Sequence, residues 1–244
     1  VVVNATDQTL RNARISVSGG GLLAQEAPVP DILPLTVRKI AFPIEGPAPQ
    51  AAGDLPIELT LLRNDRGRRT GLDKTTVTIR AVGPGEPQKR TYVSDVDGSV
   101  QHYAVLPARR GEQPAALVLS LHGANVEALN QVRSYAPKTW AHIVAPTNRR
   151  PFGFNWEDWG RLDALAVLAE AQRYYATDPG RIYLTGHSMG GHGAWMVGGL
   201  HPDRFGAIGP SAGWISFVSY KVRTPVGAET PIGRMIMRAF LPSD

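Results

Sequence analysis

Ile182-Tyr183-Leu184-Thr185-Gly186-His187-Ser188-Met189-Gly190-Gly191-His192-Gly193-Ala194-Trp195 decides how the rest of the chain is read. A short apolar run ends in Gly-x-Ser-x-Gly, and a stretch of helical character follows. In that context the motif has a mechanical meaning. A strand must reverse into a helix within a few residues, which leaves Ser188 at the tip of the turn with strained backbone angles and its hydroxyl turned outward. Gly186 and Gly190 lack Cβ atoms, so strand and helix can approach closely. The start of the helix offers free N–H groups and a partial positive charge. The N–H of Met189 is then aimed at the oxyanion that forms if Ser188 attacks a carbonyl. The competing reading is a glycine-rich turn with a chance serine. The strand before it, the helix after it and the Gly190-Gly191 pair weigh against that reading.

Leu121-His122-Gly123-Ala124-Asn125 closes an earlier apolar run, Ala115 to Leu121, and is expected to supply the second oxyanion N–H from Ala124, with Asn125 as runner-up and substrate neighbour. His122 is expected to order this loop through hydrogen bonds to backbone. Thr147 to Gly160 reads as a long loop at the same sheet edge, rich in aromatic residues. Phe154 and Trp156 are candidate walls of an apolar substrate pocket; the alternative is that Trp156 and Trp159 pack the loop onto the next helix. His187 occupies the position before the nucleophile, so its side chain is expected to point away from the hydroxyl and towards substrate. His192, four residues on, is expected beneath the turn. Asp203 reads as a capping residue.

Further out, the chain changes character near residue 88. Residues 1–88 read as all-β, with runs at Ala13 to Val17, Leu35 to Phe42, Leu55 to Leu62 and Thr75 to Val82 separated by turn formers such as Gly19-Gly20-Gly21 and Asn64-Asp65-Arg66-Gly67. In the last run Val77, Ile79 and Ala81 alternate with polar residues, the period of a half-buried strand. A small immunoglobulin-like β-sandwich is expected there. Asn4-Ala5-Thr6 matches a glycosylation acceptor pattern, with a chance match the favoured reading. Residues 89–244 alternate β and α. A hairpin is expected around Asp97-Gly98, buried strands at Ala115 to Leu121 and Ala141 to Ala145, and a helix over Leu162 to Tyr175 with Leu162, Leu165, Ala166, Leu168 and Ala169 on its buried face. Asp178-Pro179-Gly180 is expected to break the chain before a strand from Arg181 to Thr185, and Phe205 to Pro210 gives one more strand. Such alternation implies an α/β fold, a mostly parallel sheet with helices on both faces, whose ligands bind at the C-terminal edge of the strands.

Composition narrows the function classes. The 244 residues carry a net charge of +5, with the basic residues scattered, so nucleic acid is not an expected partner. With no cysteine there is no disulfide, thiolate metal site or cysteine nucleophile. No metal or cofactor is called for. No apolar run reaches membrane-spanning length. The chain opens on Val1 without a signal-peptide pattern, so the true start is expected upstream. An export signal there would make the protein secreted or periplasmic.

At Asp95 to Ser99, His122 to Asn125, Phe152 to Asp163, Gly186 to Trp195 and Ser211 to Phe217 the chain resembles α/β-hydrolase serine hydrolases, most of all bacterial prolyl-oligopeptidase-family peptidases and feruloyl- and polyhydroxybutyrate-type esterases. The resemblance covers roughly residues 88–220. It implies an acyl-enzyme on Ser188, small-molecule ester or peptide substrates and no cofactor. It also implies a triad in the chain order Ser, Asp or Glu, then His. Only 56 residues follow Ser188, and none after His201 is a histidine. The expectation is therefore that the acid and base lie beyond residue 244, and that the chain alone is nearly inactive. The alternative is a catalytically inactive binding module that kept the elbow without its triad.

Overall fold

The computed structural model describes residues 1–109, 111, 114–153, 155–215 and 230–239. The chain divides into two compact units, Val1–Gly83 and Pro84–Asp244. The break falls at the start of the Gly83-Pro84-Gly85-Glu86-Pro87 stretch.

The first unit is antiparallel throughout. Strands β1 (Val2–Asn4) and β4 (Thr36–Arg38) form a two-stranded sheet. Strands β2 (Ala13–Gly19), β3 (Gln25–Pro28), β5 (Gly53–Asp65) and β6 (Arg68–Ala81) form a four-stranded sheet in the order β3-β2-β5-β6. The alternation of Ala13, Ile15 and Val17 with polar residues points one face of β2 inward. Those side chains pack with Val2, Val29, Ile32 and Ile57 into a small core between the sheets. Asn4 is buried, and its Nδ2 donates to the carbonyls of Gln8 (2.8 Å), Ile32 (2.9 Å) and Leu33 (3.1 Å), a structural post rather than a modification site. The half-buried pattern expected for Thr75 to Val82 is not realised. β6 is an edge strand exposed almost throughout, with Val77 at 40% and Ile79 at 41%. A period of two shows only that alternate side chains share a face; at an edge there was nothing to cover that face.

In the second unit a six-stranded sheet has the order β12-β11-β9-β10-β8-β7. The antiparallel hairpin β7 (Gln88–Val93) and β8 (Val100–Leu106) forms one side. β9 (Ala115–Leu121), β10 (Ala141–Ala145), β11 (Thr177–His187) and β12 (Ala207–Ser211) run parallel to one another. β9, in the middle, is continuously apolar apart from Ser120, as a strand covered on both faces should be. Leu117, Leu119 and Leu121 face helices α2 (Asp158–Tyr174) and α3 (Met189–Leu200). Val118 faces the opposite layer with α1 (Ala128–Arg133). Each fully buried Leu contributes about 1.5–3 kcal/mol. Ser120 falls on the α1 side, where its hydroxyl is matched by Gln131 Nε2 and Tyr135 Oη, both at 2.8 Å. A last helix, α4, spans Pro231–Ala239. Among the described residues no helix is long and apolar enough to cross a membrane. This is the expected α/β-hydrolase arrangement.

Two sequence expectations need correction here. As expected, Asp178-Pro179-Gly180 interrupts the pairing with β9, which resumes at Ile182, but the strand itself already begins at Thr177. β11 runs through it with a register irregularity, and Asp178 accepts bonds from Gly180 N (2.8 Å) and Arg181 Nε (2.9 Å). Helix α2 is rotated from the face read off its leucines. Asp163, Ala164, Val167, Leu168 and Ala171 are buried, whereas Ala169 is exposed. The apolar count missed that a charged residue, Asp163, is the anchor of that face.

Candidate active site

The C-terminal ends of β9 and β11 lie side by side, with Gly186 opposite Leu121, so the two sequence motifs meet on one sheet edge. Ser188 sits between β11 and α3 at φ 57° and ψ −119°, a conformation that L-residues avoid. It is held by its own backbone: Ser188 N–H donates to Ser211 O (2.9 Å), and Ser188 O accepts from His192 N–H (3.0 Å). The close approach expected at the elbow is present. A Cβ on Gly186 would overlap the Gly190 carbonyl, and one on Gly190 would overlap the carbonyl of Leu121.

Met189 is the first residue of α3, and its N–H has no intrahelical partner by construction. Among the described residues neither this N–H nor that of Ala124 makes a hydrogen bond. The N–H of Asn125 is engaged by Pro151 O at 3.0 Å, which removes the runner-up donor. Gly123 brings the strip against the elbow: a Cβ there would lie 3.7 Å from Ser188 Cβ. Ala124 and Asn125 are both exposed, and Asn125 adopts φ 60°.

His122 is fully buried. Its Nδ1 lies 2.9 Å from Gly123 O, its Nε2 lies 3.0 Å from Thr147 O, and its ring meets Trp156 edge-on at 4.8 Å. Trp156 is also fully buried, donates Nε1–H to His122 O (3.0 Å) and packs where a Cβ on Gly193 would be. It therefore braces the Leu121–Asn125 strip from behind and has no surface left for a substrate, which corrects its assignment as a pocket wall. Phe154, the other proposed wall, lies outside the described residues. Phe152 (64% exposed) and Trp159 (37%) present aromatic surface on the same loop.

The histidines near the serine are otherwise engaged. His187 is exposed, with Nδ1 3.3 Å from Ser211 Oγ. His192 is buried under the elbow, stacked on Trp214 (4.7 Å), with Nε2 2.7 Å from Glu157 Oε1 and Nδ1 2.9 Å from Trp214 O. Among the described residues Ser188 Oγ makes no hydrogen bond to any histidine.

Sequence reading missed the charged cluster that fixes the loop following β10. Asp163, fully buried, accepts from Tyr92 Oη (3.1 Å), Thr147 N (3.1 Å) and Thr147 Oγ1 (3.2 Å), and pairs with Arg149 Nε at 3.3 Å. Arg149 reaches on to Ser94 Oγ (3.0 Å), Asp97 (3.2 Å) and Ser99 Oγ (3.3 Å) in the β7–β8 turn. Burial, then the charge and hydrogen bond of Asp163, pushes the Tyr92 phenol well above its ordinary range, so it is a permanent donor. The Ser99 hydroxyl, then Arg149, holds Asp97 below the usual carboxylate range despite partial desolvation. A cavity of about 210 Å³ opens beside this cluster, lined by His102, Glu127, Thr147 and Arg150 among others. The larger cavity, about 540 Å³, lies in the first unit and contains none of these residues.

The model of the prolyl oligopeptidase family matches residues 149–232. No curated protein matches the chain. Among solved structures, an S-formylglutathione hydrolase from Agrobacterium tumefaciens superposes with a TM-score of 0.51 at 18% identity, covering 66% of this chain and 71% of that one. That likeness establishes the fold. The fluorophosphonate-binding serine hydrolase F of Staphylococcus aureus gives a TM-score of 0.48 at 16% identity, and 58% of this chain spans 62% of it. The ferulic acid esterase of Anaeromyces mucronatus gives 0.43 at 18% identity, with 53% and 60% covered. The similarity is to serine hydrolases.

Proposed function

We propose that the chain carries the nucleophile and oxyanion half of a serine hydrolase that cleaves carboxylic ester or peptide bonds. The observation that carries this reading is Ser188 at φ 57° on a strand-to-helix turn, beside two unbonded N–H groups on separate elements. Ser188 Oγ attacks the carbonyl carbon and its proton passes to a base. The oxygen becomes an oxyanion received by Met189 and Ala124 N–H. Collapse expels the alcohol or amine, which takes up the proton, and water then releases the acyl group from Ser188.

The base is a histidine other than the six in this sequence: His122, His142, His192 and His201 are tied into the structure, His187 turns to Ser211, and His102 stands on β8, three strands away from β11 in the sheet. The chain by itself therefore acylates slowly. The same observation supports a second reading, an α/β-hydrolase-like binding module without turnover. A fluorophosphonate probe and p-nitrophenyl acetate separate the two. Slow labelling and a stoichiometric burst of nitrophenol, each reduced at least about 100-fold in Ser188→Ala, support the hydrolase. Labelling that is indifferent to Ser188→Ala leaves the binding module.

A further inference from the structure

Between Asn148 and Asp158, six of the described residues have positive φ: Asn148 (53°), Arg149 (63°), Gly153 (33°), Asn155 (52°), Trp156 (65°) and Asp158 (39°). Asn and Gly tolerate this region; Arg and Trp rarely enter it. Strain of this density persists only where the surroundings over-determine the backbone, and it gathers at sites that need a fixed geometry.

The surroundings here are explicit. At the front of the loop, Arg149 is held by Asp163, Asp97, Ser94 and Ser99. At the back, Glu157 is held by His192 at 2.7 Å. Beside and between these clamps the loop touches the oxyanion strip three times. Thr147 O meets His122 Nε2 (3.0 Å), Trp156 Nε1–H meets His122 O (3.0 Å), and Pro151 O takes the Asn125 N–H (3.0 Å). These contacts fall on the residues immediately before and after Gly123-Ala124. The third one removes the competing donor and leaves Ala124 N–H as the one presented.

We propose that Arg149 is a positioning residue for the oxyanion hole: it locks the strained loop whose Pro151 carbonyl, two residues on, sets the orientation of Ala124 N–H. Arg149 does not touch substrate. The proposal rests on the serine-hydrolase reading and adds to it the residue that fixes the second donor.

The test compares ground-state binding with tetrahedral binding in the full chain. An aryl trifluoromethyl ketone, which forms an oxyanion-bearing adduct on Ser188, is titrated alongside single-turnover acylation by p-nitrophenyl acetate. In Arg149→Gln, ketone affinity and the acylation rate constant should fall together by about 10- to 100-fold, with half-saturation by the ester within about twofold. Arg149→Lys, which keeps the charge and loses the fork, should restore part of both. If Arg149→Gln does not fold, Asp97→Asn decides, because it neutralises the outer carboxylate on Arg149, 32% exposed, and keeps an Oδ1 to accept from Ser99 N–H and Oγ–H. A folded Asp97→Asn should lose about 3- to 10-fold in both readouts, midway to a lost loop restraint. Wild-type ketone affinity in a folded variant overturns the proposal, as does a loss matched by an equal change in half-saturation. If Ser188→Ala binds the ketone as well as wild type, the hydrolase reading itself has failed, independently of Arg149.

Discussion

At the elbow one non-glycine residue, Ser188, carries left-handed strain. In the loop after β10 five do, alongside Gly153. The two regions hold it by different means. The elbow is held by backbone packed on backbone: Gly186 against Gly190, Gly190 against Leu121, and Ser188 N–H on Ser211 O. The loop is held by side chains, chiefly by charge at Arg149 between Asp97 and Asp163, and by the Glu157–His192 hydrogen bond. A single strained residue can be trapped by contact distance alone. A run of them needs directional partners on both flanks, and those partners must be buried to be strong.

That difference can be broken by experiment. The largest effect should come from Asp163→Ala, which leaves Arg149 largely buried without its inner partner and should destabilise the protein by about 3–5 kcal/mol. Replacing both charges, as in Asp163→Leu with Arg149→Met, should recover most of the loss in chemical denaturation. If the double variant is as unstable as the single one, the loop is not held by charge pairing. Next is Gly190→Ala, whose methyl meets the Leu121 carbonyl rather than a side chain able to move. A loss of about 3 kcal/mol is expected, at the upper end for overpacking. A second-site change in the charged cluster should not rescue it. A thermal melt of Gly190→Ala that matches wild type would show the elbow to be looser than its geometry.

The smallest effect is a pH dependence at the N-terminal end of β10, away from the loop. His142 on β10 is buried, its Nδ1 accepts Ala108 N–H at 3.0 Å, and desolvation holds its pKa below the ordinary histidine value. The folded state therefore keeps it neutral while the unfolded chain takes up a proton near pH 6.5. More protons on the unfolded side means stability that is present above about pH 6.5 and declines as pH falls from there towards the folded-state pKa. His102 and His201 shift in the same direction, each mainly through desolvation. The urea midpoint should drop between pH 7.5 and 5.5, and His142→Gln should flatten part of that drop. An unchanged slope in the variant would assign the dependence to the other histidines.

Legibility in the sequence follows the same division. The elbow could be read because its constraint is local: close backbone approach demands glycine at fixed offsets from Ser188. β9 and β10 could be read because strands buried on both faces need largely apolar runs, interrupted here only by Ser120 and His142. The loop clamp could not, because Asp97, Arg149 and Asp163 are separated by long stretches of chain and converge only once the sheet has formed. Its traces were Asn148, Gly153 and Asn155, the residues that tolerate left-handed backbone, and an aspartate among the apolar residues of α2. Trp156 was misplaced for a related reason. An aromatic residue on a loop suggests a pocket wall, and nothing nearby in sequence shows that Gly193 leaves room for its ring.

The long β5–β6 hairpin of the first unit has a consequence for how the molecule behaves in a crowd. β6 ends its sheet with 14 residues of strand, the kind of edge on which another chain could add and begin to aggregate. Arg69, Lys74 and Arg80 stand along it, each anchored on an acid of the same unit, Glu26, Glu58 and Asp54. Charged side chains along an edge strand disfavour the pairing of another strand. The strand that the alternation of valine and isoleucine offered as a half-buried face thus carries the charged side chains that edge strands use against self-association.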